Sequence, residues 1–221
     1  MSKSVLVHDL DAAVAARSLL QHPFYRAWTA GTLTRDDLGF YATQYWRQVE
    51  AFPTYLEALV ERFDEPTGRD IVEANLRDEV EDDHAGLWIE FARALGVEEA
   101  DLRGTTEEPE TTGCVDAFRR GTRDGSVPYA LGMLYGYESQ TPAVAATKIQ
   151  GLRDHYGIDG SATRYFELHG QLDVEHSAGL ARAIESVATD DDAEVQARAG
   201  AEAGAGSVWT LLDGVARVRA I

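Results

Sequence analysis

Apolar residues recur at spacings of three and four along almost the whole chain, and this pattern is the strongest constraint on its fold. Such spacing is typical of amphipathic α-helices, whereas a half-buried strand alternates apolar and polar residues. No segment alternates with a period of two over more than a few residues. The sequence therefore predicts an all-α bundle of seven or eight helices, in a single domain over residues 1–221. The predicted helices cover residues 9–20, 22–30, 35–63, 66–95, 110–123, 127–156, 161–187 and 190–219.

Capping patterns mark the start of two of these helices. Thr34 with Asp37 forms a capping-box pattern ahead of the helix at 35–63, and Thr189 with Asp192 does so ahead of the last helix. In a capping box each side chain satisfies a backbone N–H group that the helix itself leaves free.

Two prolines and one loop-like segment interrupt the helical pattern. Pro53 and Pro142 lie inside predicted helices and should kink them, since proline cannot donate a backbone hydrogen bond. The segment at 98–113, "EEADLRGTTEEPETTG", is the most loop-like part of the chain.

Charge restricts the partners of the protein. The chain has 38 acidic residues against 20 Lys plus Arg, a formal net charge of −18. A field of this sign repels nucleic acid and anionic membrane surfaces, so neither is an expected partner. A strongly acidic surface suits a protein that works in concentrated salt, where screening removes self-repulsion, and we expect a halophilic source.

The expected location is the cytoplasm. No apolar run approaches the ~18 residues that a membrane-spanning helix needs, and the first nine residues lack the basic and apolar regions of a signal peptide. The single cysteine, Cys114, cannot form an internal disulfide, which fits a reducing compartment.

The stretch "YFELHGQLDVEH", residues 165–176, carries three candidate metal ligands. His169, Asp173 and His176 stand at offsets of 0, 4 and 7, which place them on one stripe of a helix at ~100° per residue. Imidazole and carboxylate groups together suit Fe, Mn or Zn. A solvated polar face that happens to carry two histidines explains this helix equally well.

A second group of candidates lies in "NLRDEVEDDH", residues 75–84. Glu81 and His84 are three residues apart and share a face of an ideal helix. Glu79 and His84 are five apart, and they converge only if the helix is locally over-wide or broken. Because acidic residues are abundant in this chain, the histidine is the more informative of the three.

Glu138 and Lys148 form the third group. Glu138 stands in the apolar run "LGMLYGYES", where a lone carboxylate is costly unless it is paired or binds a metal. Lys148 is one of only two lysines, and it lies in an apolar helical pattern. It is a partner of Glu138, a second functional group near the same cavity, or a side chain that snorkels at a helix edge.

Several motifs together resemble a known family. The combination of "YESQTP" at 137–142, "KIQGL" at 148–152 and "HGQLDVEH" at 169–176, together with the segment at 22–59, is similar to the CADD-like family (chlamydia protein associating with death domains). That family belongs to the haem-oxygenase-like superfamily, which also includes the TenA and PqqC proteins. The resemblance covers roughly residues 20–185. It implies a haem-oxygenase-like bundle around a dinuclear metal site that holds two iron ions, or iron and manganese, with O2 as co-substrate.

The resemblance also implies a set of metal ligands. Family members place the first glutamate seven residues before its histidine, whereas this chain has five, so Glu81 remains a geometric rival of Glu79. The matching positions are Glu79, His84, Glu138, His169, Asp173 and His176.

The family is linked to the formation of 4-aminobenzoate for folate. The resemblance implies an oxygen-dependent, self-sacrificing route in which Tyr25 is excised and Lys148 donates the amino group, while Tyr41 and Tyr137 match other tyrosines near the site. From the residues alone, Tyr25 is equally well a half-buried aromatic whose hydroxyl has a hydrogen-bond partner.

Three other functions are compatible with the sequence. The same metal site could oxidise an external small molecule. A metal-free TenA-like hydrolase would need Cys114 as its nucleophile. A non-enzymatic interaction module would leave the clustered histidines unexplained. The resemblance further implies a homodimer.

Overall fold

A computed structural model describes residues 4–221. Residues 1–3, which include Lys3 and the start of the segment searched for a signal peptide, lie outside it. The described residues form eleven α-helices, which confirms the all-α prediction, and their connections include two 3₁₀ helices (Leu19–Gln21 and Gly160–Thr163) and a π-helical segment (Leu152–Tyr156). The helices are α1 (Val5–Ala15), α2 (Pro23–Ala30), α3 (Arg35–Val60), α4 (Pro66–Glu81), α5 (His84–Ala94), α6 (Glu99–Gly104), α7 (Pro109–Asp124), α8 (Val127–Glu138), α9 (Thr141–Gly151), α10 (Arg164–Val187) and α11 (Asp191–Arg219).

The helix count exceeds the predicted seven or eight mainly because two long predicted helices are broken. The helix predicted at 66–95 ends at Glu81 and restarts at His84, since Asp83 adopts a left-handed conformation with φ 50°. The helix predicted at 127–156 ends at Glu138, and Pro142 occupies the first turn of a new helix instead of kinking an old one.

The loop predicted at 98–113 was also wrong in part. It contains the short helix α6 and the beginning of α7, where Pro109 occupies the first turn. Leu102 of α6 is fully buried, so this segment packs on the core despite its polar composition. Pro53 does not end α3, which continues as one helix from Arg35 to Val60.

Cap geometry explains other helix boundaries. The capping box of Thr34 and Asp37 is confirmed, with both reciprocal hydrogen bonds present. The predicted cap at Thr189 was wrong by one residue, because the Asp190 side chain accepts from the N–H of Ala193 at the start of α11. At the other end of the chain, Ser4 caps α1, and the first helix therefore begins at Val5 and not at residue 9.

Close contact between α8 and α11 sets the position of the centre of the bundle. A Cβ atom on Gly136 of α8 would lie 2.3 Å from the carbonyl oxygen of Ala201, and one on Gly204 of α11 would lie 2.2 Å from that of Met133. The two backbones therefore touch through glycines. This contact fixes the axis of α8, the last residue of which is Glu138.

The short helix α2 is held against α9 in a similar way. The Trp28 ring covers Gly151, where a Cβ atom would come within 2.6 Å of it. The indole N–H of Trp28 donates to the carbonyl oxygen of Lys148 at 3.3 Å. These contacts bring Tyr25, one turn before Trp28, to the side chain of Lys148.

The buried apolar residues form one contiguous core that runs from α1 to α11. Within residues 4–221, no helix has both the length and the apolar character that are needed to cross a membrane.

Candidate metal centre

Four helices bring the six predicted ligands into the interior. Glu79 comes from the last turn of α4 and His84 from the first turn of α5, while Glu138 ends α8. The remaining three lie along α10. All six side chains are at most 9% exposed: Glu79, His84, Glu138, His169, Asp173 and His176. Their role as ligands remains a prediction, but an acidic solvated surface does not describe these residues.

The break between α4 and α5 brings Glu79 and His84 together. Because the chain turns at Asp83, the five-residue spacing no longer separates the two side chains, and Oε2 of Glu79 lies 2.7 Å from Nδ1 of His84. Nε2 of His169 lies 3.9 Å from the other carboxylate oxygen. Potential ligand atoms of Glu79, His84 and His169 all fall within 4.8 Å of one another, a spacing suited to one metal ion. The rival Glu81 is exposed.

Glu138, Asp173 and His176 form the adjoining part of the cluster. Nδ1 of His176 lies 3.5 Å from a carboxylate oxygen of Asp173. One oxygen of Glu138 accepts a hydrogen bond from the side-chain amide of Asn75 at 2.8 Å, and Nε2 of His176 pairs with Asp78 at 3.0 Å.

The ring nitrogens of two histidines have distinct partners. Nδ1 of His169 lies 2.8 Å from the carbonyl oxygen of Tyr165, so this nitrogen is the donor and Nε2 is free to face Glu79. In His176 the arrangement is reversed, since Nε2 pairs with Asp78 and Nδ1 is left toward Asp173. A hydrogen bond on one ring nitrogen orients the other for metal binding.

Unpartnered polar atoms show that the cluster fits a metal. Within residues 4–221, both ring nitrogens of His84, Nδ1 of His176 and Oε2 of Glu138 are buried without a hydrogen-bond partner. The short contact between His84 and Glu79 therefore brings two atoms close without hydrogen-bond geometry. Buried polar atoms are rarely left in this state. Carboxylate and imidazole groups in this number are the donor set that iron and manganese accept.

Electrostatics also favours a cation at this place. Burial, together with the negative charge of Asp173, raises the pKa of Glu138 to about 8. Burial lowers the pKa of His169. For His176 burial acts in the same direction, but the nearby carboxylate of Asp173, the charge of Glu138 and the hydrogen bond with Asp78 outweigh it and raise the pKa to about 10. A bound dication would supply the positive charge that buried carboxylates need in order to stay ionised.

Lys148 is buried in an aromatic box next to this cluster. Its Nζ atom donates to the Tyr41 hydroxyl at 2.7 Å, and the residue is 4% exposed. Lys148 does not pair with Glu138, and it does not snorkel. Burial lowers its pKa to about 7, so that much of the amine is neutral near physiological pH. Five rings lie with their centroids 4.8 to 5.7 Å from Nζ: Tyr25, Tyr41, Tyr45, Trp88 and Phe166.

Two small cavities link the lysine to the candidate ligands. One is lined by Lys148 and His169, the other by Glu79, Glu138 and His169, and they share the walls formed by Tyr137 and Tyr165. They offer about 20 and about 10 Å³, roughly the space of one water molecule each. The Tyr137 hydroxyl accepts from Tyr45 at 3.1 Å. Neither cavity is large enough to hold an aromatic ring.

Five residues around the site were missed from the sequence. Tyr45 lies one turn after Tyr41 on α3. On α4, Asn75 lies one turn before Glu79, and Asp78 directly precedes Glu79. Helical spacing from the matched residues could have identified all three. The Trp88 ring lies beside Lys148, and the Tyr165 ring stacks on His169. In the sequence, both residues have the pattern of ordinary core residues.

Cys114 lies away from the site. It stands within α7, 1% exposed, and its Sγ atom is 3.8 Å from Oε1 of Gln48. Burial raises the pKa of its thiol, which disfavours the reactive thiolate.

Comparison with known proteins agrees with this architecture. The sequence profile of a family described as iron-containing redox enzymes matches residues 40–207. A 4-aminobenzoate synthase of Nitrosomonas europaea is 36% identical over 227 residues, covering 97% of this chain and 92% of that protein. A 4-aminobenzoate synthase of Chlamydia muridarum is 35% identical over 190 residues, covering 85% of this chain and 80% of that protein.

A solved structure supports the fold. A CADD-like protein of unknown function from Nostoc punctiforme superposes with a TM-score of 0.81 at 16% sequence identity, covering 97% of this chain and 96% of that one. At this identity the likeness shows the fold alone. Since the family profile matches most of the chain and the Nitrosomonas relative aligns over nearly all of it, the chain belongs to the iron-containing redox enzymes with a haem-oxygenase-like fold.

Proposed function

We propose that this protein is an O2-activating oxidase that forms 4-aminobenzoate from its own Tyr25, with Lys148 as the nitrogen source. Two transition-metal ions, both iron or iron with manganese, would occupy the candidate centre. The names of the Nitrosomonas and Chlamydia relatives support the product, and the family supports the metal. The proposed ligands are Glu79, His84, Glu138, His169, Asp173 and His176.

The arrangement of Lys148, Tyr41 and Tyr25 carries this proposal. Nζ of Lys148 is 2.7 Å from the Tyr41 hydroxyl and 5.6 Å from the centroid of the Tyr25 ring. The side chains of Tyr25 and Tyr41 are hydrogen-bonded in turn. The amine is thus one hydroxyl group away from the phenol that it would replace.

The product dictates what each residue contributes. 4-Aminobenzoate carries an amino group and a carboxyl group at opposite positions of an aromatic ring. The Cα–Cβ bond of Tyr25 would break, and Cβ would be oxidised to the carboxyl carbon with O2 as the oxidant. Nζ of Lys148 would bond to the ring as the phenolic oxygen leaves as water, and the Cε–Nζ bond of Lys148 would then break oxidatively to free the amino group. When bound, the metal pair supplies the capacity to bind and reduce O2, and hence the oxidising equivalents.

The remaining residues hold these two groups and exclude water. The aromatic box keeps Lys148 desolvated, which favours the neutral amine with its free electron pair. Tyr41 orients that amine, and Tyr137, whose hydroxyl accepts from Tyr45, forms a wall shared by the cavity beside the lysine and the cavity beside Glu79 and Glu138.

Isotope labelling tests the proposal. Protein that contains ¹⁵N-lysine should release ¹⁵N-labelled 4-aminobenzoate after incubation with Fe²⁺, Mn²⁺, a reductant and O2. The mass of the chain should fall, and peptide mapping should assign a loss to Tyr25. Because Lys3 is the only other lysine, Lys3→Arg should keep the label while Lys148→Arg loses it. Tyr25→Phe should abolish the product, and Tyr129→Phe, at the opposite end of α8 from Glu138, should not. Unlabelled product from an intact chain would reject self-sacrifice.

Three alternatives have less support. Oxidation of an external molecule would show as repeated turnover with an added substrate, and the two cavities leave little room for one. A metal-free hydrolase would need Cys114, which is buried in α7 and lines neither cavity. We expect Cys114→Ala to retain full activity, and a large loss would revive that alternative. An interaction module would leave the buried ligand set without a role.

We further propose that the protein acts in the cytoplasm of a salt-adapted cell, as a homodimer with no nucleic-acid or membrane partner. The net charge of −18 and the single cysteine support this. Sedimentation at high and low salt would test the dimer.

A further inference from the structure

Three polar side chains stand on one face of α4. Asn75, Asp78 and Glu79 are spaced at i, i+3 and i+4, and each contacts a different part of the candidate centre. We infer that Asn75 and Asp78 are positioning residues, which orient Glu138 and His176 for metal binding. This inference rests on the proposed metal centre and assigns α4 a second task beyond supplying Glu79.

Asn75 fixes the rotation of the Glu138 carboxylate. Its side-chain amide donates to Oε1 of Glu138 at 2.8 Å, and both residues are almost fully buried. The amide nitrogen must face the carboxylate, because the amide oxygen would repel it. With Oε1 held in this way, Oε2 of Glu138 is the atom left without a partner. Asn75 therefore selects which oxygen of Glu138 is presented to a metal.

Asp78 has the same role for His176. Its carboxylate lies 3.0 Å from Nε2 of His176, and the side chain is 42% exposed, at the rim of the site. Since a carboxylate only accepts, this contact holds a proton on Nε2, and Nδ1, which faces Asp173, is the ring nitrogen left to bind a metal. Such a pairing fixes the tautomer and the ring orientation of a metal-binding histidine and raises its basicity.

Both contacts reach only one part of the cluster. Glu79, His84 and His169 already gather without them, with Tyr165 holding His169. Loss of Asn75 or Asp78 should therefore lower the affinity for one of the two metal ions and leave the affinity for the other unchanged. If Asn75 and Asp78 had a purely structural role, their substitution would lower protein stability without a selective loss of affinity for one metal ion.

Anaerobic titration with Co²⁺, followed by visible absorption, tests the inference without activity. We expect two ions per wild-type chain. In Asn75→Leu and in Asp78→Asn, one ion should bind about ten- to a hundred-fold more weakly, with loss of its part of the spectrum. Asp78→Glu, which keeps the carboxylate, should restore part of that affinity.

Two matched controls separate positioning from stability. Asp82 lies four residues after Asp78 at an exposed site, and Asp82→Asn makes the same chemical change there as Asp78→Asn. Gln48→Leu removes a buried amide that contacts Tyr55 and Cys114, touches none of the proposed ligands and lines neither cavity. Both should bind two Co²⁺ ions as the wild type does.

The outcomes are distinct. Wild-type affinity for both ions in Asp78→Asn and in folded Asn75→Leu would overturn the inference. Should Asn75→Leu fail to fold, the exposed Asp78 variants decide alone. A wild-type chain that binds no Co²⁺ would instead reject the proposed metal centre itself.

Discussion

The Nζ atom of Lys148 lies 2.7 Å from the hydroxyl oxygen of Tyr41, and this contact joins α9 to α3 inside a box of aromatic rings. Charged lysines are rarely buried without an ionic partner. Here the partner is a phenol whose own pKa burial raises well above its usual value. The phenol therefore stays neutral at physiological pH, and burial lowers the pKa of the lysine to about 7, so that a large fraction of the amine is in the neutral form that a nitrogen donor needs.

The yield of product should depend on pH through this amine. Burial lowers the pKa of Lys148 to about 7, so the neutral fraction grows as the pH rises through that value. We expect single-turnover yield to increase from pH 6 to 8 and then to level off, as measured by chromatography of the released product. A yield that is flat or falling over this range would contradict the role of the neutral amine.

Burial of Lys148 should also destabilise the folded protein. Between pH 7 and about 10.5 the unfolded chain binds a proton at this lysine that the folded chain does not, so the free energy of unfolding should rise with pH in this range. Lys148→Met, of similar length, should abolish that dependence and stabilise the fold at pH 7 by about 1 kcal/mol or more. Urea unfolding at several pH values measures both. A destabilised variant would mean that the lysine is well accommodated.

The glycine contact between α8 and α11 predicts a contrast between two neighbouring glycines. A Cβ atom at Gly204 would lie 2.2 Å from the Met133 carbonyl oxygen, whereas none of the surrounding atoms lies within 4 Å of one at Gly206. Gly204→Ala should lower stability by about 1–3 kcal/mol, and Gly206→Ala should raise it by about 0.5–1 kcal/mol, as expected for helical alanine. Thermal unfolding distinguishes them, and equal effects would refute the close packing.

The acidic surface predicts a response to salt. With a net charge of −18, repulsion among exposed carboxylates should weaken as the screening length falls from ~10 Å at 0.1 M to ~3 Å at 1 M salt. The melting temperature should therefore rise with KCl over this range, and activity should persist. Loss of activity at high salt with retention at low salt would argue against a halophilic source.

Periodicity and helical spacing could predict much of this site. His169, Asp173 and His176 do lie on one buried stripe, because a regular helix runs through them. Glu79 and His84 required knowledge of a helix break, and Asp83, whose left-handed conformation makes that break, carries no glycine-like signal in the sequence.

Contacts between distant parts of the chain could not be predicted. Asn75 meets Glu138 across 63 positions, and Lys148 meets Tyr41 across 107. Such pairs depend on how helices cross, and the crossing of α8 and α11 depends on glycines whose role is visible only once the two backbones are seen together.

Anomalous diffraction from crystals grown with Fe²⁺ and Mn²⁺, recorded on both sides of each metal absorption edge, tests the central claim most directly. We expect two peaks within the cluster, at least one of them iron, with Glu79, His84 and His169 around one ion and Glu138, Asp173 and His176 around the other. A single peak, or none, between α4, α5, α8 and α10 would contradict a dinuclear centre.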